Sequence, residues 1–390
     1  MASDRPSSRS RNLRVVSLGL AGTSVAGGHH VRVAKKLART PAQADGDGLV
    51  GQLQVHPALS LASWTDAERL FRSRREAIVA VTEPFVLISQ VQRSGGTLLN
   101  SLLDGHPELH VHPYELHIGH PTKADWPALD LEVAPDSWLE LLSEPVLDKL
   151  FAAGYRKKPD MDEIEGYPML PFTVVPSFVE SLFRLLCADV PPQTQREVIN
   201  HYLTAFFNSW IDNQGLRDEP KRWVAGFAPR TAWGSSRERF FGDYPDGRIV
   251  ALLRDPRAWY ASASRFSGRY GELDEALELW KQGAREIAAA KRDRPEAVLV
   301  ITYEALVQEP ERVMRSVAEW LGITWSQTLL TPTFNRLPVR PNSSYDLAPP
   351  RIHDEPVQRW RDALDSETVA TIEQRTLDLH TEVSTLADLS

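Results

Sequence analysis

Four apolar runs rich in strand-forming residues recur along the chain: "FVLIS" from Phe85, "RWVAGFAP" from Arg222, "GRIVALLRD" from Gly247 and "AVLVITYEA" from Ala297. The first and third are continuous apolar stretches, too short for a buried helix, and read as strands covered on both faces. Between them the apolar positions return at helical spacing. Residues 58–81 predict a helix with Thr65 as N-cap, and "GTLLNSLLDGHPEL" predicts one ended by Gly105 and Pro107. Further helices are expected at 257–267, at 271–291 and over "EPERVMRSVAEWLGI". Strands alternating with helices predict an α/β fold, a parallel sheet flanked by crossover helices, with its ligand site at the carboxyl ends of the strands.

Two regions depart from that rhythm. Residues 121–220 are broken by prolines, yet "SFVESLFRLLCADV" and "TQREVINHYLTAFFNSWIDNQ" keep a helical period, so this stretch reads as a helical insertion shaping an acceptor cleft. Residues 1–48 are diluted by Gly, Ser and Thr and read as a flexible leader, leaving 49–390 as a single domain. Arginines before the leader's small-residue segment imitate an export signal, but basic residues resume at "HHVRVAKK".

Composition narrows the partners. A formal charge of -8 argues against a nucleic-acid or anionic-membrane binder and leaves room for a local basic pocket holding a small anion. The single cysteine, Cys187, excludes an intrachain disulfide and a thiolate zinc cluster, and fits a cytoplasmic location. No uninterrupted apolar stretch reaches membrane-span length. Oligomeric state is not written in the sequence.

The chemistry concentrates where strands stop. After "FVLIS" comes "QVQRSGGTLL", with Gln92, Arg93, Ser94, Gly95, Gly96, Thr97 and Leu98 leading into a helix. Helix-start amides carry partial positive charge, and glycines let an anion approach the main chain. Arg93 adds a charged fork, while Ser94 and Thr97 add hydroxyl donors. A nucleotide triphosphatase loop requires Lys and then Ser or Thr after its last glycine; here Thr97 and Leu98 follow Gly96. After the third run, "LLRDPRAWYAS" repeats the arrangement with Arg254 at the strand end and Ser262 eight residues on.

Together these motifs resemble sulfotransferases that use 3′-phosphoadenosine 5′-phosphosulfate (PAPS) and release 3′-phosphoadenosine 5′-phosphate (PAP). The resemblance spans roughly residues 84–364 and implies the P-loop NTPase-like sulfotransferase fold. It implies that "QRSGGTLL" binds the 5′-phosphosulfate and that Arg254 and Ser262 bind the 3′-phosphate. "ITYEALVQEPERVMRSVAEWLGI" is similar to the family's third element, with Tyr303 bordering adenine. "PNSSYDL" and "VQRWRDAL" are similar to its late contacts, implying Ser343, Ser344 and Arg359 as lid residues. The implied reaction moves a sulfuryl group to a hydroxyl of a small-molecule or carbohydrate acceptor, with no obligatory metal.

A base must then face the loop. "HPELHVHPYELHIG" offers Glu115, which resembles the glutamate base of tyrosylprotein and bacterial carbohydrate sulfotransferases, and His112 as the competing choice. Gln90 and Gln92 stand where relatives usually carry Gly and Pro, and Phe227 where many carry a lysine near the transferred group; Arg230 is the nearest replacement cation. Two other classes stay open, a P-loop kinase or nucleotide hydrolase and a nucleotide-binding homologue without turnover. Among the tryptophans, Trp126 and Trp233 are the ones expected beside a polar cleft, where a ring can stack on an acceptor.

Overall fold

A computed structural model describes residues 64–118, 126–143, 172–218, 220–339 and 351–387. The expected leader, Ser343 and Ser344 lie outside these residues, as does part of 121–220. Five strands form one sheet: β1 (Phe85–Gln90), β2 (Leu109–Glu115), β3 (Trp223–Phe227), β4 (Arg248–Leu253) and β5 (Val298–Thr302). Their order is β2-β3-β1-β4-β5, and every neighbouring pair is parallel. The four apolar runs supply β1, β3, β4 and β5, while the histidine-bearing stretch 109–115 supplies the edge strand β2.

The helices, in chain order, are α1 (Trp64–Glu76), α2 (Gly96–Leu103), α3 (Pro135–Leu142), α4 (Pro176–Asp189), α5 (Gln195–Ser209) and α6 (Gly234–Asp243). After β4 come α7 (Pro256–Phe266), α8 (Leu273–Asp293), α9 (Tyr303–Gln308), α10 (Pro310–Leu321), α11 (Trp360–Ala363) and α12 (Ser366–Ser384).

The strand period of two divides the sheet's side chains between two cores. Phe85, Leu87, Ile249, Ala251, Val298 and Val300 join one, together with Phe183 of α4, Phe206 of α5, Trp259 of α7 and Trp280 of α8. Val86, Ile88, Val250, Leu252, Leu299 and Ile301 join the other, closed by Leu99 and Leu102 of α2 and by Val313 and Met314 of α10. Both faces of β1 are therefore covered, which is why "FVLIS" shows no polar alternation. The chain leaves β1 for the edge, returns as β3 and crosses to β4 on the other side. β1 is thus the point where the winding reverses, and the crevice beyond its carboxyl end is where such sheets hold ligands.

Three expectations are corrected. Thr65 lies inside α1, and that helix stops at Glu76 instead of running to 81. The following backbone is drawn onto α5, where Asn208 Oδ1 accepts from the Val79 N–H at 3.0 Å and Thr204 Oγ1 from the Val81 N–H at 2.9 Å. Trp126 is packed edge-on among Phe85, Phe240 and Tyr244, with its ring nitrogen donating to Asp243 at 2.7 Å, so it belongs to the core and not to a cleft wall. Among the described residues no helix is long and apolar enough to cross a membrane.

Candidate active site at the carboxyl ends of the strands

The turn from β1 into α2 is built on two left-handed residues, Arg93 at φ 76° and Gly95 at φ 100°. A Cβ added at Gly95 would lie 2.5 Å from the Tyr303 ring, and one at Gly96 only 2.3 Å from the Phe227 ring. Glycine is required at both because the loop is seated against these aromatics. Gln92 anchors the loop: its carbonyl accepts from Trp259 Nε1 and its amide oxygen from Tyr270 Oη, each at 2.7 Å. Ser94 is 1% exposed, and its hydroxyl has no hydrogen-bond partner. Such a group costs about 1–3 kcal/mol when buried, and it lies beside the start of α2, where backbone amides favour an anion oxygen. Thr97 and Leu98 form the first turn of α2, Leu98 packing with Tyr303 and Val357.

Arg254 emerges where β4 stops and is 4% exposed. One guanidinium nitrogen donates to the Arg93 carbonyl at 2.8 Å and the other to the Pro356 carbonyl at 3.3 Å, while the group lies 4.3 Å above the Tyr303 ring. Its Nε is buried with no hydrogen-bond partner. Asp255 does not hold Arg254; it caps α7 through the Arg257 and Ala258 amides and pairs with Arg257 at 2.6 Å. Ser262 lies buried on α7, and Tyr303 opens α9. Arg359 precedes α11, whose Trp360 ring is covered by Arg257 at 4.4 Å. Strand ends separated by 161 positions thus meet in one hydrogen bond.

Glu115 ends β2, where the register with β3 shifts between Val111 and Glu115 and Glu115 comes opposite Phe227. Its carboxylate lies 3.2 Å from His117 Nε2. Burial, and then Arg254, push the Arg93 guanidinium below its usual pKa, while Glu115 is close enough to act in the opposite sense. The sheet therefore brings Arg93, Arg254, Tyr303 and Glu115 to one end. His112 is not brought there: it is fully buried, stacks on Phe206 at 5.3 Å and has Nδ1 3.0 Å from the Tyr114 carbonyl oxygen. His110 packs on Phe207, and burial pushes it down to about 3.

Phe227, 2% exposed, packs beneath the loop. Arg230, on the turn after β3, stacks 4.7 Å over the buried Trp233. Three contributors carried no readable signal. Phe266 is 60% exposed with the Arg93 guanidinium 4.5 Å from its ring, Tyr270 holds Gln92, and Glu304 accepts from the Asp255 N–H at 3.2 Å. Each contact depends on tertiary proximity, that of Glu304 included, although Glu304 itself lies in the "YEAL" stretch.

A model of a sulfotransferase family matches residues 179–327, a segment holding β3, Arg254, Ser262 and Tyr303. Protein-tyrosine sulfotransferase 2 of Gallus gallus is 24% identical over 286 residues, covering 67% of this chain and 60% of that protein. A putative protein-tyrosine sulfotransferase of Caenorhabditis briggsae is 26% identical over 141 residues, covering 35% of this chain and 48% of that protein. The chain thus spans less than two thirds of the length of these relatives. The solved sulfotransferase domain of the Synechococcus PCC 7002 olefin synthase is 20% identical, covering 76% of this chain and 95% of that one, with a TM-score of 0.40. The family match and the curated relatives point to the same family as the motifs: this chain resembles the sulfotransferases.

Proposed function

We propose that the protein transfers a sulfuryl group from PAPS to a hydroxyl of a small-molecule or carbohydrate acceptor. The observation that carries this reading is the Arg254 guanidinium donating to the Arg93 carbonyl, which joins two anion-binding strand ends into one site. A nucleotide anionic at both its 5′ and 3′ positions fits such a pair. The unpartnered Ser94 hydroxyl and Arg254 Nε, with the close-approach glycines, fit it as well.

PAPS when bound supplies the sulfuryl group and a phosphate leaving group. Arg93, Ser94, the Gly95–Thr97 backbone and Leu98 would hold its 5′ end; Arg254 and Ser262 would hold the 3′-phosphate, with Tyr303 beside the base. Arg359, Ser343 and Ser344 would complete the enclosure. Arg93 offsets charge developing on the departing phosphate. Glu115, across the site, takes the proton of the acceptor hydroxyl, and His117 at 3.2 Å orients its carboxylate. The buried, stacked position of His112 favours Glu115 as the base. Arg230 is the cation on the strand turn next to the loop, and helices from 121–220 would wall the acceptor cleft. Arginine before the glycines disfavours the kinase reading. A chain with one cysteine fits a reducing compartment such as the cytoplasm, and burial, which pushes the Cys187 thiol up to about 11, makes it a packing group and not a nucleophile.

The test is transfer of labelled sulfuryl from PAPS to a panel of phenols, sugars and tyrosine peptides, the last included because both curated relatives carry protein-tyrosine sulfotransferase names. Glu115→Gln should retain PAP binding and lose turnover by at least about a hundredfold, within the range ascribed to one general base. Near-normal turnover in that variant removes Glu115 from the role.

A further inference from the structure

The last residue of β1, Gln90, is 3% exposed, and its side-chain oxygen accepts from the Gly96 N–H at 2.6 Å. Gly96 opens α2, so this N–H is one of the amides that a helix start presents to an anion. An oxygen at hydrogen-bond distance from it stands where an anion oxygen would stand. The backbone on either side is fixed. Gln90 N–H donates to the Pro229 carbonyl at 2.6 Å, and β1 is paired on both edges. On the other side the Phe227 ring closes against Gly96. The Gln90 side chain, in contrast, reaches the Gly96 amide through its own rotatable bonds.

We infer that Gln90 is an internal competitor for the 5′ anion: its side-chain oxygen occupies the Gly96 amide, and a nucleotide with a 5′-phosphate or 5′-phosphosulfate binds against that contact. This rests on the nucleotide reading above. It makes Gln90 a specificity-determining residue that weakens the hold on the 5′ end alone, leaving the Arg254 end untouched. Because PAP shares that 5′ anion, the same contact favours product release.

Calorimetric titration of PAP and of adenosine 3′-monophosphate into wild type, Gln90→Ala and Gln90→Glu tests this, since the second ligand lacks the 5′ anion. Gln90→Ala frees the amide and should bind PAP about tenfold more tightly, the size of one hydrogen bond to a charged group, with adenosine 3′-monophosphate unchanged. Gln90→Glu keeps an acceptor on Gly96 but places a negative charge beside the 5′-phosphate, so PAP should weaken at least about tenfold with the shorter ligand unchanged. PAP binding that is unchanged or weaker in Gln90→Ala overturns the inference, as do parallel shifts of both ligands, the outcome of a merely structural role. Should Gln90→Ala not fold, the Gln90→Glu pair of titrations decides alone. A wild type that binds neither ligand overturns the nucleotide reading itself.

Discussion

Glu304, next to Tyr303 in the third motif, has a contact the motif does not announce: it accepts from the Asp255 N–H. Burial pushes its carboxyl up to about 7, against the pull of Arg254. The folded state therefore binds this proton more tightly than the unfolded chain, whose glutamate titrates near 4.5. Stability from this group is complete below that value, is lost as pH rises to about 7, and is flat beyond. Glu304→Gln keeps an acceptor for the Asp255 N–H and removes the titration. Between pH 5 and pH 8 the wild type should lose on the order of 3 kcal/mol relative to this variant, read from denaturant melts. Equal differences at both pH values would contradict the assignment. Arg93, Ser94 and Arg254 were singled out in the sequence as candidates because two polar clusters end apolar strands and together resemble one family's motifs. Gln90 and Glu304 were not, because their contacts depend on the loop's left-handed turn and on the approach of α9 to β4.

At the scale of elements, the strand β3 and the loop it supports carry the departure from relatives that bear a lysine. Phe227 is a buried packing residue under Gly96. Restoring the expected lysine should not restore a cation to the reacting group: Phe227→Lys buries an unpaired charge and removes the ring, with a cost of about 3–5 kcal/mol in urea denaturation. Enhanced turnover at unchanged stability in this variant would refute that placement. Gly96→Ala should fail in a related way, losing PAP affinity because its Cβ cannot coexist with the ring. A PAP Kd unchanged from wild type would show that the loop is not seated as described. The central strands could be read directly because both their faces are buried. β2 was harder, because Pro113 and the buried His110 and His112 disguise a strand whose histidine rings pack on Phe207 and Phe206 of α5. The end of α1 was unreadable for a similar reason, since the groups that draw the chain away sit more than 120 positions along it on α5.

For the whole molecule, the order β2-β3-β1-β4-β5 brings Gln90, Arg93, Glu115, Arg254 and Tyr303, scattered along the chain, to one end of one sheet. The alternation of elements alone led to the expectation of a ligand site at the carboxyl ends of the strands, and β1 is where the winding of this sheet reverses. The clamp behind it was not legible. Arg257 joins Asp255 to Glu373 of α12 at 2.7 Å and covers Trp360, so the carboxyl-terminal helices brace the Arg254 turn. The central claim is that this end takes a nucleotide with anions at its 5′ and 3′ positions. Its most direct test is calorimetric titration of the wild-type protein with PAP in metal-free buffer, beside ATP with magnesium. The expected result is one-to-one binding of PAP at least about tenfold tighter than ATP, a preference of about 1.4 kcal/mol or more. Preferential, magnesium-dependent binding of ATP, or no binding of PAP, would contradict it.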